Sequence, residues 1–254
     1  GIYDLTEPIV VNRADTIVLG MGLATLRAAN RTACMETGDV QGLIIAGLLF
    51  DSGETKSDNL LVVGTEKEAS GDAEKNNYLS DLFFRVGGTD TEKPVSVKCC
   101  ATINSDHVIG DNFWVWRADH GDHVAWDENE AENGIIINGD DVTMYALMVE
   151  HFKQYQTIWN GNRGKVYMYQ SEIPYDVPAQ EVWVSHEGQK NGYASFYVDD
   201  AVDAFEAWGL GVYLYNRDAA VELNTAMEVP DREGVKVHNI CTVMLTGYPG
   251  MNHI

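Results

Sequence analysis

The sequence predicts an all-β chain wound into a single-stranded, right-handed parallel β-helix. Three observations lead there. Helical periodicity is almost absent, short runs rich in branched and aromatic residues end in Gly, Asn or Asp, and those runs return about every twenty residues, the mark of a solenoid.

The early runs are Thr16-Ile17-Val18-Leu19-Gly20, Gly42-Leu43-Ile44-Ile45-Ala46-Gly47-Leu48-Leu49-Phe50, Asn59-Leu60-Leu61-Val62-Val63-Gly64 and Asp81-Leu82-Phe83-Phe84-Arg85-Val86. Farther along, each unit reads strand, polar turn, strand. Thr102-Ile103-Asn104-Ser105-Asp106 leads into a strand over 109–116, and Ile135-Ile136-Ile137-Asn138-Gly139-Asp140 into one over 142–150. Thr157-Ile158-Trp159-Asn160-Gly161-Asn162 leads into 164–172, and Ala194-Ser195-Phe196-Tyr197-Val198 into 199–206. The turns carry Asn, Asp and Gly because tight corners need residues that tolerate positive φ. The segment 142–152 has local helix propensity, but its place in the repeat makes it a strand. A unit of this kind buries its apolar face only by stacking on its neighbours, at about 4.8 Å per rung. About seven or eight rungs are expected. A β-sandwich, which would want antiparallel hairpins and stricter alternation, is the alternative fold.

No Pro/Gly/Ser-rich linker divides the chain, so 1–254 reads as one β-helix domain. It opens abruptly at Gly1-Ile2-Tyr3, inside what reads as a strand, as a piece of a longer chain would. Three insertions break the repeat: 65–77, a solvated loop, and two longer ones at 119–132 and 173–192. The last two leave the rung just past positions 116 and 172 and are expected to be neighbours on one flank.

Composition narrows the partners. Apolar residues make up 45%, which supports a real core. Seventeen basic against 39 acidic residues leave a net charge of −22. Such a surface repels polyphosphate and anionic lipid, so nucleic acid and membranes are not expected partners; neutral glycans, cations and basic proteins remain open. No apolar run approaches the ~20 residues of a membrane helix, and no signal-peptide pattern opens the chain. The acidity suits a secreted, extracellular setting. Four cysteines at 34, 99, 100 and 241 lack C-x-x-C spacing, and buried thiols and one disulfide both stay open. Asn30-Arg31-Thr32 is a glycosylation sequon. No Walker loop, dinucleotide fingerprint, G-x-S-x-G or H-E-x-x-H is present, so no cofactor is expected. Asp119-His120 and Asp122-His123 match no metal-ligand spacing.

The repeat alignment puts Glu150, Glu172 and Glu206 in one column on adjacent rungs, with Trp116 directly before them. Carboxylates at roughly 5 Å intervals repel by about 3 kcal/mol per neighbouring pair at an effective dielectric of 20. The middle member, Glu172, is expected to have the most raised pKa and to act as a general acid, with a base among Glu150 and Glu206. A row of solvated strand-end carboxylates is the competing reading. Sugar rings stack on aromatic faces, and Trp116, Trp126 and Trp183, with Asp119 and His120, are the candidate substrate contacts. Trp114 and Trp159 read as core.

The runs Trp114-Val115-Trp116-Arg117-Ala118-Asp119-His120-Gly121, Val149-Glu150-His151-Phe152, Tyr169-Gln170-Ser171-Glu172-Ile173-Pro174-Tyr175-Asp176 and Glu206-Ala207-Trp208-Gly209 carry a resemblance. They resemble a group of secreted bacterial proteins with pectate-lyase-like β-helices, variously labelled "coagulation factor 5/8 type domain" or "adenylyl cyclase". More distantly the chain is similar to glycoside hydrolase family 55, exo-acting β-1,3-glucanases built from two tandem β-helices, of which it resembles the second only. The resemblance implies a polysaccharide or oligosaccharide substrate and a preceding β-helix of the same chain. It assigns no residue: the glutamate column rests on the repeat alone. The two functions to separate are a β-glucan hydrolase and a non-catalytic structural or glycan-binding module. A polysaccharide lyase is third, because the chain is short of the Lys and Arg that neutralise an acidic sugar.

Overall fold

The computed structural model describes residues 1–65, 73–89, 91–246 and 250–253. Strands Ile2–Leu5, Ile17–Ala28, Ile44–Asp51, Asn77–Val86, Val108–Arg117, Thr143–Glu150, Gly164–Glu172, Phe205–Leu214 and Val235–Met244 form one nine-stranded sheet in that order. The segments between them supply a second sheet of eight strands: Ile9–Val11, Met35–Thr37, Ser57–Val63, Val97–Ile103, Ala131–Ile137, Thr157–Trp159, Phe196–Val198 and Met227–Glu228. Every neighbouring pair in both sheets is parallel. The chain alternates between the sheets as it climbs, which is a parallel β-helix. It has slightly more rungs than the repeat count suggested. Segment 142–152 contains the strand Thr143–Glu150, and the only helical turn among the described residues is a 3-10 turn at Gln180–Val182.

Repeating the strand on every rung lets identical chemistry stack. Phe50, Phe84 and Phe113 pile up inside, with ring centroids 4.9 and 6.1 Å apart, within one continuous apolar core. At the corner after the eight-stranded sheet, Asn160 donates to Asn138 and Asn138 to Asn104, each at 2.7 Å. A second column bends the long strands. Gly47, Asp81, Asn112, Ala146, Met168, Gly209 and Asn239 all have φ between 51 and 70°, and the strand register steps over them. All four cysteines are free thiols, with Cys241 exposed and the others buried. The insertion expected over 65–77 falls mostly on 66–72, outside the described residues, and Asn77 is already a buried strand residue.

The fourth unit of the sequence alignment, 194–206, is out of register. Gly164 pairs with Phe205, not with Val198, and Val198 ends a strand of the other sheet beside Trp159. Residues 199–204 are the corner between the sheets, and buried Val202 gave that corner the look of a strand. Glu206 therefore sits at the start of its strand, between Lys165 and Lys236, the latter's ammonium 3.8 Å away. It is not part of the carboxylate column.

Left-handed backbone disfavours a side chain by about 1–2 kcal/mol. Met168 bears that cost with its side chain half exposed. Met168→Gly is expected to stabilise the protein by about 1 kcal/mol, read as a higher denaturant midpoint at unchanged slope. A lower midpoint would show that the thioether's contacts outweigh the backbone strain.

Candidate active site

One column of the nine-stranded sheet, at the C-terminal ends of its strands, runs Asp4, Arg27, Asp51, Arg85, Trp116, Glu150, Glu172, Tyr213. Its first half is self-neutralising. Arg85 holds buried Asp51 with two hydrogen bonds of 3.0 and 2.8 Å, and Arg27 lies 3.5 Å from Asp4. Past Trp116 the alternation fails, and Glu150 and Glu172 stand side by side in register with no cation between them.

The groups around this pair are hydrogen-bonding rather than charge-compensating. Trp114 Nε1 donates to Glu150 Oε2 at 2.8 Å, and Gln170 Nε2 donates to Glu172 Oε1 at 3.3 Å. Tyr175, three residues past Glu172 in the second insertion, donates its hydroxyl to Glu172 Oε2. His151 follows Glu150 in a left-handed conformation, with φ 69°, and is buried. Its Nδ1 faces the carbonyl of Ile173 at 3.3 Å, which makes Nδ1 the protonated nitrogen of a neutral ring. The unprotonated Nε2 then faces Glu172 Oε2 at 3.9 Å and Asp119 Oδ1 at 4.0 Å. Tyr175 packs edge-on against this imidazole. On the outer side His120 Nδ1 lies 2.8 Å from Asp119 Oδ1 and its ring leans on Trp116, which stacks on Trp114.

These surroundings separate the acidities. Burial, and then the charges of Glu150 and Asp119, push Glu172 up to about 7. Burial also raises Glu150, although the hydrogen bonds from Trp114 and Gln170 oppose it. His151 is driven down to about 4, chiefly by burial, so it is neutral near pH 7 and supplies no charge that would ionise Glu172. Burial is the largest influence and would raise Asp119; the hydrogen bond with His120, the two nearby imidazoles and its own backbone amide together outweigh it and hold this carboxyl below its usual range. A carboxylic acid whose pKa is raised to about 7 beside a second carboxyl, in an aromatic-rimmed surface, is equipped to donate a proton to a leaving oxygen.

Of the residues singled out in the sequence, the structure brings Glu150, Glu172, Trp116, Asp119 and His120 together and leaves Glu206 elsewhere. Trp183 is 0% exposed, its indole N–H given to the carbonyl of Lys153, and it belongs to an apolar cluster with Ile173, Val177 and Leu223. It is core and cannot stack on a ligand. Trp126 is half-buried against the same cluster, with the Lys153 ammonium 4.5 Å over its ring. Trp114 reverses the expectation of a core residue: it is 40% exposed and touches Glu150. His151, Gln170 and Tyr175 were missed, although each lies within three residues of a glutamate of the pair.

The two long insertions meet at Arg117, whose guanidinium is 1% exposed. It donates to both oxygens of Asp176 at 2.9 and 2.7 Å, to the carbonyls of Ala125, Asn129 and His151, and to Asn129 Oδ1. One buried side chain thus joins the loop bearing Trp126, the loop bearing Tyr175, and the turn bearing His151.

A parallel β-helix with a paired-carboxylate, aromatic-rimmed site defines a pectate-lyase-like class of protein. Comparison with known proteins makes this particular: residues 1–172 match the LAM55 pectate lyase-like domain, and the chain belongs to that family. It is 38% identical over 255 residues to an exo-β-1,3-glucanase of Streptomyces sp. (strain SirexAA-E / ActE), a match covering 100% of this chain and 41% of that protein. The structure of sacteLam55A from Streptomyces sp. SirexAA-E superposes with a TM-score of 0.92 at 40% identity, over 96% of this chain and 44% of that one. A variant of sacteLam55A in complex with glucose gives 0.93 at 38% identity, with the same coverage. The chain spans about two fifths of the length of the curated relative it matches.

Two measurements check the site. Arg117→Ala strands Asp176 in the interior and is expected to cost about 3–5 kcal/mol of stability; a loss under 1 kcal/mol would mean that the loops are held by other contacts. Glu172 has a folded pKa raised above its unfolded value of 4.5, so its contribution is full below 4.5 and is lost as pH rises through about 7. Glu172→Gln, which mimics the protonated acid, is expected to raise Tm at pH 8 and leave it near the parent value at pH 4. An equal shift at both would show that ionisation of Glu172 is not the cause.

Proposed function

We propose that the protein hydrolyses a β-glucan, with Glu172 as the general acid that protonates the leaving glycosidic oxygen and Glu150 as its ionised partner. The observation that carries this is the uncompensated Glu150–Glu172 step beside Trp114, Trp116 and Tyr175. Kinship to an exo-β-1,3-glucanase supports β-1,3-glucan as the substrate. The two glutamates project from adjacent strands of one wall, about 4.8 Å apart in backbone. Burial and the neighbouring charges of Glu150 and Asp119 favour the proton on Glu172, while Glu150 holds the negative charge that favours an oxocarbenium-like transition state. We place the protein outside the cell, where such polymers are met and where a net charge of −22 is a solubility device. We also propose that a further β-helix of the same chain precedes residues 1–254, which read as one β-helix domain, and helps enclose the substrate.

The experiment is hydrolysis of a β-1,3-glucan by the full-length chain. Glu172→Gln is expected to lower kcat by roughly 10³-fold or more while leaving glucan binding intact, and to be far less damaging on an aryl glucoside whose leaving group needs no proton. The high-pH limb of kcat/KM is expected near 7 and to move down in Asp119→Asn, because the Asp119 charge helps to raise Glu172. Glucan binding without hydrolysis in the parent would favour the non-catalytic module, and undiminished turnover in Glu172→Gln would remove the acid assignment.

A further inference from the structure

We infer that the outer face of the eight-stranded sheet carries a second, non-catalytic carbohydrate site built on Tyr197 and Glu228, with Tyr155, itself met by Tyr193, packed against the Tyr197 ring. Strands Phe196–Val198 and Met227–Glu228 place Tyr197 beside Glu228 in register. Tyr155, from the turn before Thr157–Trp159, meets the Tyr197 ring at 5.0 Å and Tyr193 edge-on at 5.2 Å. The antiparallel hairpin Val184–Ser185 and Lys190–Asn191, inside the second insertion, folds down onto this face. It brings His186 Nε2 within 3.2 Å and Lys190 Nζ within 3.4 Å of Glu228 Oε2, whose side chain is 11% exposed. Between hairpin and sheet lies a cavity of about 470 Å³, lined by Tyr197, Thr225, Met227 and Glu228 and rimmed by His186, Lys190 and Asp200.

The chemistry selects a neutral, polyhydroxylated ring. The volume falls in the range of ligand sites, and the lining offers one aromatic face, Tyr197, among mostly polar groups. Donors and acceptors are both present: one ammonium and one imidazole against the carboxylates of Glu228 and Asp200. No excess of positive charge would draw a phosphate or another anion. The pocket lies on the other sheet from Glu150 and Glu172, too far round the solenoid to share their sugar. A second attachment point of this kind holds an insoluble chain close to the catalytic pair by effective concentration. The inference rests on the glycan reading above.

The test uses the full-length chain with Glu172→Gln, so that binding is measured without hydrolysis, and insoluble β-1,3-glucan as the probe. Adding Tyr197→Ala is expected to weaken retention on the particles by about tenfold or more. With Glu172 intact, Tyr197→Ala is expected to leave kcat/KM on a soluble β-1,3-linked trisaccharide within about twofold of the parent. If Tyr197→Ala lowers Tm, Lys190→Ala on the partly exposed hairpin decides the matter by the same retention assay. Retention within twofold of the parent in the deciding variant, with Trp116→Ala abolishing it, overturns the second site and leaves the first. A parent that neither retains nor hydrolyses the glucan overturns the glycan reading itself, and this site with it.

Discussion

In a parallel β-helix every side chain has an equivalent one rung above and one below, at about 4.8 Å and pointing the same way. That enforced neighbourhood governs the rest of the molecule. It favours apolar residues inside, where Phe50, Phe84 and Phe113 gain contact by stacking. It favours amides at corners, where Asn160 donates to Asn138, Asn138 to Asn104 and Asn104 to the carbonyl of Gly64. For charges the same geometry is hostile, because a repeated charge is a like-charge pair on every rung.

The column from Asp4 to Glu172 shows both responses to that hostility. Alternation of Asp4, Arg27, Asp51 and Arg85 turns it into attraction, and the deeply buried Asp51 is held by a bidentate guanidinium. At Glu150 and Glu172 the alternation stops. A cation in either position would relieve the repulsion, and it would also pull the proton off the acid. The groups actually in place satisfy the oxygens by hydrogen bonds from an indole, a carboxamide and a phenol, with a neutral imidazole packed alongside, and leave the pKa of Glu172 raised to about 7. This difference between two halves of one column separates a self-neutralising ladder from the uncompensated pair on which the proposed acid chemistry rests.

The same geometry explains which parts could be read from the chain. The fold was legible because strand–turn–strand recurs, and the Glu150–Glu172 pair because the spacing from Ile137 to Val142 equals that from Trp159 to Gly164. Val198 ends a strand of the eight-stranded sheet beside Trp159, and the corner up to Phe205 contains apolar Val202, so setting Val198 against Gly164 leaves the count seven residues short, on Glu206 instead of Tyr213. Insertions obey no repeat. Nothing in the pattern told that Trp183 would turn into a private apolar cluster with Ile173 and Val177 while Trp114, on a regular strand, would face outward. Parity along the strand held that second answer: in Val108–Arg117 the buried residues Phe113, Val115 and Arg117 leave Trp114 and Trp116 on the outer face.

Arg117 is where the regular and irregular parts become one object. Strand parity turns it inward at the rim of the helix, where a guanidinium can stay buried only if its donors are met. The solenoid itself offers just the carbonyl of His151; the remaining acceptors come from Ala125 and Asn129 in one insertion and Asp176 in the other. The need to satisfy this one charge thus specifies how both loops close. Tyr175 is the residue before Asp176, and His151 lies at the turn whose carbonyl Arg117 holds. The hydroxyl on Glu172 and the imidazole beside it are therefore positioned by a group that touches neither carboxylate of the pair. A rigid wall supplies the two glutamates, and a buried cation behind it sets the phenol and the imidazole that pack against Glu172.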